Sequence, residues 1–199
     1  MLDILFVTDF VCPYCLVAKE ALRQSLEELG MEAEITLQPL ELTAEPEPRV
    51  DTCHDERRKA HYQLLVEPCK ELGLDMKLPP NICPRPYTRL AFEGYFYAKE
   101  QGKGEVYGDK VYRAYFIDEK DIGDMELLSD LAAESGLDRE DFKQALIDGI
   151  YGKEEKEAVR HSREDLKVKS VPTIYIDGKE ITLKTYTKTE MTGILRTYQ

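Results

Sequence analysis

Two cysteines separated by two residues lie where a short apolar segment gives way to an amphipathic helix. Residues 12–15 read Cys-Pro-Tyr-Cys, after the nearly all-apolar residues 2–7 and before apolar residues at helical spacing over 18–29. Thiols at positions i and i+3 of a first helical turn can close a small disulfide and reopen it, and the helix N-terminus favours the first thiolate. Zinc sites use the same spacing. The position between a strand and a helix favours a redox site.

The N-terminal segment predicts a strand, a helix and a second strand. Residues 2–7 are apolar enough for a strand that is buried on both faces. Gly30 ends the helix, and residues 33–37 alternate polar and apolar side chains as a strand does. A strand–helix–strand unit of this length predicts two parallel strands joined by a crossover helix.

The C-terminal segment predicts a hairpin followed by a helix. Residues 173–176 and 180–183 predict two short strands, and Asp177-Gly178 between them is a strong signal for a two-residue hairpin turn. Residues 188–197 predict the last helix. This second pair of strands is therefore antiparallel.

The middle of the chain predicts helices and almost no strand. The acidic, proline-containing residues 45–48 begin it, and the proline-rich residues 78–86 predict a loop. Its aromatic residues within 95–97 and 112–116 predict core packing, and the acidic pair 154–155 predicts a solvated helix face. Helices are expected over about residues 55–72, 87–101, 108–116, 125–135, 139–148 and 154–167.

This order of elements is an α/β fold, the thioredoxin fold, with a large all-helical insertion between its β-α-β and β-β-α halves. Residues 1–43 and 169–199 are assigned to a discontinuous thioredoxin-like domain. Residues 44–168 are assigned to a helical insertion domain. The cysteine motif then falls at the first strand–helix junction, where the thioredoxin fold places its reactive cysteines.

A proline stands at the entrance of the predicted hairpin. Val171-Pro172-Thr173 leads into the strand, and proline is tolerated there only at a start or on an edge. The thioredoxin fold has a cis proline at this point, against the loop that carries the cysteines. A cis bond turns the backbone of Val171 outward, where it can pair with an extended substrate strand. We predict a two-part site in which residues 12–15 face a cis Pro172.

The net charge of the chain limits the kinds of partner that it is expected to bind. It has 27 basic and 39 acidic residues and a formal net charge of −12 at pH 7. Nucleic acids and anionic membranes bind basic surfaces, so neither is an expected partner. No apolar run approaches the ~18 residues of a membrane span. No N-terminal leader with a basic start and an apolar run is visible, so a cytoplasmic protein is expected. In a reducing compartment, five cysteines are not expected to form a disulfide framework.

The remaining cysteines and histidines follow no compact metal-binding pattern. Cys53, His54, His61 and Cys69 could be combined into a zinc set, but their spacing fits no C-x-x-C and H-x-x-x-H arrangement. Separate reduced thiols and surface histidines are the favoured interpretation, and no metal site is predicted. Cys83, in the proline-rich loop, is considered as an accessory regulatory or substrate-linked thiol.

Taken in order, these motifs resemble the DsbA-like thioredoxin superfamily. Asp9 three residues before Cys12, the motif 12–15, the helical middle and the segment 170–173 carry the resemblance. More narrowly, the chain is similar to the FrnE-like branch, which is related to 2-hydroxychromene-2-carboxylate isomerases and kappa-class glutathione transferases. The segments that carry this narrower likeness are 88–91, 97–98, 101–103, 115–118, 121–124 with Leu128, and 136–138.

The resemblance implies a DsbA-like protein-disulfide oxidoreductase. Cys12 is then the exposed nucleophile that forms a mixed disulfide with the substrate, and Cys15, about one turn deeper, resolves it. Asp9 is first interpreted as a turn or capping carboxylate, and second as a group that relays protons or tunes the thiol. The residues expected to bind the substrate are Pro13, Tyr14, Val171, Pro172 and Thr173.

The expected chemistry requires no cofactor beyond the redox-active disulfide itself, with glutathione as an optional one. The expected partner is a protein or a small molecule that carries a thiol or a disulfide. One alternative is a glutathione-dependent transferase or isomerase, but those relatives typically replace the first cysteine with serine, and this chain keeps both Cys12 and Cys15. The other is a non-enzymatic metal- or cluster-binding protein that uses both cysteines as ligands.

Overall fold

A mixed sheet of four strands joins the two ends of the chain. In the computed structural model, which describes residues 1–199, the strands are β1 (Leu2–Thr8), β2 (Ala33–Pro39), β3 (Thr173–Ile176) and β4 (Lys179–Ile181). Their order in the sheet is β2-β1-β3-β4. β1 is parallel to β2 and antiparallel to β3, and β3 and β4 form an antiparallel hairpin. This topology confirms the predicted α/β thioredoxin fold.

Nine α-helices accompany the sheet. They are α1 (Pro13–Leu29), α2 (Glu56–Tyr62), α3 (Val66–Leu72), α4 (Arg89–Glu100), α5 (Gly104–Phe116), α6 (Met125–Glu134), α7 (Arg139–Ile147), α8 (Gly152–Arg160) and α9 (Lys188–Leu195). The helices α2 to α8 lie between β2 and β3 in the chain, as the sequence predicts. None of the nine combines the length and the apolar character that a membrane-crossing helix needs.

The first helix begins inside the cysteine motif. Cys12 is its N-cap residue and Pro13 its first helical residue, where the missing N–H of proline costs no hydrogen bond. Gly30 ends the helix with a φ of 63°, a left-handed conformation that glycine adopts without a steric cost. The buried face of α1 includes Cys15, Val17 and Leu22, so the second cysteine points into the core.

The helix predicted over 55–72 is two helices in the structure. α2 and α3 are separated by a 3₁₀ turn at Gln63–Leu65. The reason is Pro68, which has no N–H for an i−4 hydrogen bond and is tolerated only in a first helical turn. Restarting the helix at Val66 puts Pro68 in that first turn.

Two helices of the insertion begin earlier than the sequence predicts. α5 starts at Gly104 rather than at the predicted Gly108, and both glycines lie inside the helix. A Cβ at Gly108 would lie 2.9 Å from Leu37 Cδ1 on β2, so the absent side chain lets α5 approach the sheet. α8 starts at Gly152 and continues into a π-helical turn at His161–Asp165. These glycines weaken the helical signal in the sequence while serving close packing.

One apolar core runs through the sheet and the helical insertion. Phe10, in the loop after β1, lies 4.5 Å from Phe92 on α4 and 5.0 Å from Tyr112 on α5, measured between ring centroids. All three side chains are fully buried. The insertion therefore packs directly on the segment that leads into the cysteine motif. The division into domains 1–43 with 169–199 and 44–168 remains a prediction.

Candidate active site

The side chain of Cys12 faces the loop that precedes β3. Its thiol donates a hydrogen bond to the carbonyl oxygen of Val171, with a sulfur–oxygen distance of 3.6 Å. The Val171–Pro172 peptide bond is cis. The fold thus brings together two segments that are 159 residues apart in the chain. This is the arrangement that the sequence predicts for residues 12–15 and Pro172.

Cys12 is far less accessible to solvent than its predicted role as an exposed nucleophile implies. Only 4% of the residue is exposed in this structure. Burial raises the pKa values of Tyr62 on α2 and Tyr186 in the loop before α9, and the proximity of Cys12 raises both further. The sulfur is therefore enclosed by the insertion on one side and by the C-terminal segment on the other, which only the tertiary fold reveals.

Cys15 lies one turn deeper in α1 and is fully buried. Its backbone N–H donates to the carbonyl oxygen of Cys12 at 3.1 Å, and both cysteines are free thiols. Burial and the adjacent Cys12 thiol raise the pKa of Cys15 well above its usual value, while the nearby Thr8 hydroxyl and Asp9 backbone oppose this. Cys15 is therefore a poor first nucleophile, which supports its predicted resolving role.

A pair of buried hydroxyl groups lies beneath Cys15, at residues that the sequence does not single out for function. Thr8 Oγ1 and Tyr112 OH form a hydrogen bond, and neither residue is exposed. The Thr8 hydroxyl also lowers the pKa of Cys15. The Thr8 hydroxyl therefore stabilises negative charge on the Cys15 sulfur. The sequence signal for this pair is a threonine at the end of a nearly all-apolar strand.

Replacing Thr8 with valine should slow resolution of a Cys12 mixed disulfide about tenfold or more, since a hydrogen bond to a charged acceptor contributes about 1.5–3 kcal/mol. Valine keeps the branched shape and loses the hydroxyl. Stopped-flow release of a chromogenic thiol from Cys12 measures the step. The matched control is Thr8→Ser, which retains the hydroxyl and should stay close to wild type. Equal rates for Thr8→Val and wild type would show that the hydroxyl has no part in resolution.

Asp9 is a buried carboxylate that organises the neighbouring loop. Its Oδ2 accepts a hydrogen bond from the Leu42 N–H at 2.7 Å, and its carbonyl oxygen accepts from the Cys12 N–H at 3.0 Å. Burial raises its pKa, whereas the hydrogen bond from Leu42 and the charge of Arg85 act in the opposite direction. These contacts support the first interpretation of Asp9, a carboxylate that organises a turn.

Tyr14 connects the cysteine motif to the insertion. Its hydroxyl donates to the carbonyl oxygen of His61 at 3.1 Å. Its ring centroid lies 5.5 Å from that of His61 and 5.1 Å from that of Tyr186. Burial raises the pKa of Tyr14 to about 12. Tyr14 is thus held between two segments, while its neighbour Pro13 is buried.

The loop around Pro172 borders a small cavity. Val171, Pro172 and Thr173 are each partly exposed, and a cavity of about 170 Å³ lies against Pro172, Thr173 and Tyr186. The Thr173 hydroxyl donates to the carbonyl oxygen of Ser170 at 2.8 Å, which fixes the loop. The predicted substrate-binding residues of this loop therefore lie together, next to Cys12.

Three buried glutamates lie on the insertion side of the site. Glu41 follows β2, Glu93 is on α4 and Glu155 is on α8, and at most 5% of each is exposed. Arg89 donates to Glu93 at 2.6 Å, but one carboxylate oxygen of each glutamate has no hydrogen-bond partner. Burial and the charge of Glu155 raise the pKa of Glu41 to about 8. The predicted solvated position of Glu155 is wrong because α8 turns it toward α4.

Replacing Glu41 with glutamine should stabilise the protein increasingly as the pH rises. Its carboxyl has a pKa of about 8 in the folded protein against 4.5 when unperturbed. Between those values the folded state holds a proton that the unfolded state has lost, so the contribution to stability is lost as pH rises through this window. The Tm difference between Glu41→Gln and wild type should therefore grow from about pH 5 to about pH 9. The exposed Glu154→Gln is the control, and a difference independent of pH would contradict the assignment.

Cys53 and Cys83 form a disulfide, with their Cα atoms 6.2 Å apart. This corrects the prediction of separate reduced thiols and leaves Cys83 without a free thiol for an accessory role. The two cysteines are 30 residues apart in the sequence. The pairing is not evident from the sequence because α2 and α3, which lie between them, bring the chain back to Cys53. The zinc set considered above is not assembled. Cys69 is a free, buried thiol beside Met76, and burial raises its pKa to about 11.

Known proteins share both the sequence pattern and this architecture. The chain matches the family model of the DSBA-like thioredoxin domain over residues 3–189. The uncharacterized protein YwbO of Bacillus subtilis is 38% identical over 170 residues, which cover 85% of this chain and 84% of that protein.

Two solved structures resemble the chain along nearly its whole length. A probable DsbA oxidoreductase, SCO1869 from Streptomyces coelicolor, has a TM-score of 0.78 at 23% identity, covering 99% of this chain and 89% of that one. The cytosolic disulfide reductase DsbM from Pseudomonas aeruginosa has a TM-score of 0.73 at 16% identity, covering 98% of both chains. At these identities the likeness establishes a shared fold.

Proposed function

The chain belongs to the DsbA-like thioredoxin domain family, and we propose that it is a cytosolic thiol–disulfide oxidoreductase of the FrnE-like branch. The observation that carries the proposal is the position of Cys12. Its sulfur lies at the N-terminus of α1 and 3.6 Å from the carbonyl oxygen of Val171. A nucleophilic sulfur beside a backbone that can pair with a substrate is what disulfide exchange requires.

The proposed reaction transfers two electrons between the cysteine pair and a substrate disulfide. The Cys12 thiolate attacks one substrate sulfur, forms a mixed disulfide and releases the other substrate sulfur, which takes up a proton. Cys15 then loses its proton and attacks the Cys12 sulfur. The second substrate thiol leaves, and Cys12 and Cys15 remain as a disulfide. Every step runs in reverse when the pair donates its disulfide.

The residues around the sulfurs have separate tasks in this scheme. Val171 offers backbone groups to an extended substrate segment, and Pro172 holds that backbone against the motif. Tyr14 and Tyr186 form the rim of the site, with ring centroids 5.1 Å apart. Thr8 supports the Cys15 thiolate during resolution. No cofactor is required beyond the redox-active disulfide, and glutathione fits as the small-molecule thiol that returns the pair to its starting state.

The proposal is tested by catalysis of insulin reduction with dithiothreitol as the electron donor. We expect the protein to accelerate the reaction over dithiothreitol alone, and the acceleration to require both Cys12 and Cys15. A glutathione-dependent transferase or isomerase would retain its activity in the Cys15→Ala variant, because that chemistry needs one thiol. A wild-type protein that gives no acceleration, or a Cys15→Ala variant as active as wild type, would contradict the proposal.

A further inference from the structure

The disulfide between Cys53 and Cys83 lies beside the carboxylate of Asp51. A carboxylate oxygen of Asp51 and the two sulfur atoms all lie within 4.8 Å of one another. Asp51 and Cys53 precede α2, and Cys83 is in the proline-rich loop before α4. Two loops therefore bring two sulfur atoms and one carboxylate oxygen close together.

The carboxylate of Asp51 is held in place by its own turn. Its Oδ1 accepts hydrogen bonds from the N–H groups of Cys53 at 3.0 Å and His54 at 3.2 Å. Its Oδ2 lies 2.9 Å from Nδ1 of His54. The N–H of Cys53 also points at the Cys83 sulfur, 3.1 Å away. The donor atoms are therefore oriented before any ligand arrives.

Opening the disulfide changes the charge balance of this cluster. The oxidised pair carries no charge, so Asp51 is the sole anion among the three groups. Two thiolates beside that carboxylate would repel it and one another, and a divalent cation offsets this repulsion. Two sulfurs and a carboxylate suit zinc rather than magnesium or calcium. A tetrahedral zinc with sulfur bonds of about 2.3 Å puts its ligands roughly 3.7 Å apart, within the span of this cluster.

We propose that reduction of the Cys53–Cys83 disulfide opens a zinc site formed by Cys53, Cys83 and Asp51. His54 orients Asp51 from the outer side, since carboxylates that bind a metal are themselves hydrogen-bonded, and water completes the coordination. A dithiol supplies two electrons and two protons, its own sulfurs become a disulfide, and the Cys53–Cys83 bond breaks. Both thiols then release their protons to water as the two zinc–sulfur bonds form. Disulfide and metal exclude each other because both use the same sulfurs.

The site has a structural connection to the cysteine motif. Asp51 and Cys53 lie on the turn that leads into α2, and α2 carries His61, whose carbonyl oxygen accepts the hydrogen bond from Tyr14. A thiol-rich compartment favours the reduced pair. The metal-bound form would therefore be the cytosolic one, and the disulfide form the product of oxidation.

Cobalt titration of a Cys12→Ser/Cys15→Ser double variant tests this proposal without interference from the motif. After reduction and removal of the reductant, the variant should bind one equivalent of Co²⁺ with thiolate-to-cobalt absorption in the near ultraviolet, and Zn²⁺ should displace it. Oxidation with diamide should abolish binding. Adding Cys83→Ser should weaken binding about a hundredfold or more, and His54→Ala about tenfold. Cys69→Ser is the matched control and should bind like its parent.

A second measurement keeps the loop unmutated. In the reduced double variant, Zn²⁺ should protect Cys53 and Cys83 from iodoacetamide, as read by mass spectrometry of the peptides. The proposal is overturned if the reduced protein binds no stoichiometric metal, if binding survives Cys83→Ser unchanged, or if zinc leaves both cysteines equally reactive. A disulfide that resists native reduction by excess dithiol would overturn it as well.

Discussion

Replacing Cys15 with serine should convert the protein from a catalyst into a covalent trap for its own substrates. The Cys12 sulfur would still attack a substrate disulfide, but no neighbouring thiol could release the product. Cys15 is fully buried, so a substrate thiol cannot take its place. Mixed disulfides should accumulate as bands on non-reducing gels that disappear on reduction, and mass spectrometry of the adducts identifies the partner and the cysteine.

The companion variant Cys12→Ser should remove the reaction at its first step. A serine hydroxyl is not ionised near neutral pH and cannot form a disulfide, so exchange should fall to the rate of the free reductant. No adduct should form at Cys15. Cys69→Ser is the matched control, because Cys69 is also a free, buried thiol and lies outside the site. Adducts at Cys15 in the absence of Cys12 would reverse the assigned roles.

Replacing Phe92 with alanine should lower the free energy of unfolding by about 3–5 kcal/mol, the usual cost of deleting a buried aromatic ring. The ring is fully buried and lies 4.5 Å from that of Phe10. Because Phe10 lies two positions before Cys12, the cavity would also loosen the support beneath Cys12. Urea unfolding followed by circular dichroism measures the loss.

Phe92→Leu is the matched control for this prediction. Leucine fills most of the volume, so its cost should stay below that of alanine. We expect one unfolding transition for both variants, because the apolar core continues from the sheet into the insertion. A loss below about 1 kcal/mol for Phe92→Ala would be too small for a fully buried ring and would contradict the packing described here.

The sequence predicts the fold and the centre of the site because their signals are local. The spacing of Cys12 and Cys15, the stop at Gly30 and the turn at Asp177-Gly178 each depend on a few adjacent residues. In the structure, Asp177 and Gly178 both have the positive φ values that such a turn needs. Fixing both ends of the chain in this way leaves few topologies for the sheet.

The features that the sequence does not predict depend on how distant segments meet. Nothing near Cys53 marks Cys83 as its partner, because α2 and α3 lie between them. Glu154 and Glu155 are equivalent in the sequence, and only the packing of α8 buries one of them. The enclosure of Cys12 likewise requires residues from the insertion and from the C-terminal loop.

We propose that Cys12 and Cys15 form one reversible two-electron couple. Equilibrating the protein in dithiothreitol buffers of graded potential, alkylating it, and quantifying the Cys12 and Cys15 peptides by mass spectrometry tests this couple. Both cysteines should change together from free thiols to one disulfide, with a tenfold change in the ratio for about 30 mV. Thiols that stay alkylatable at every potential, or a Cys12 that is oxidised while Cys15 stays free, would show that the two cysteines form no such couple.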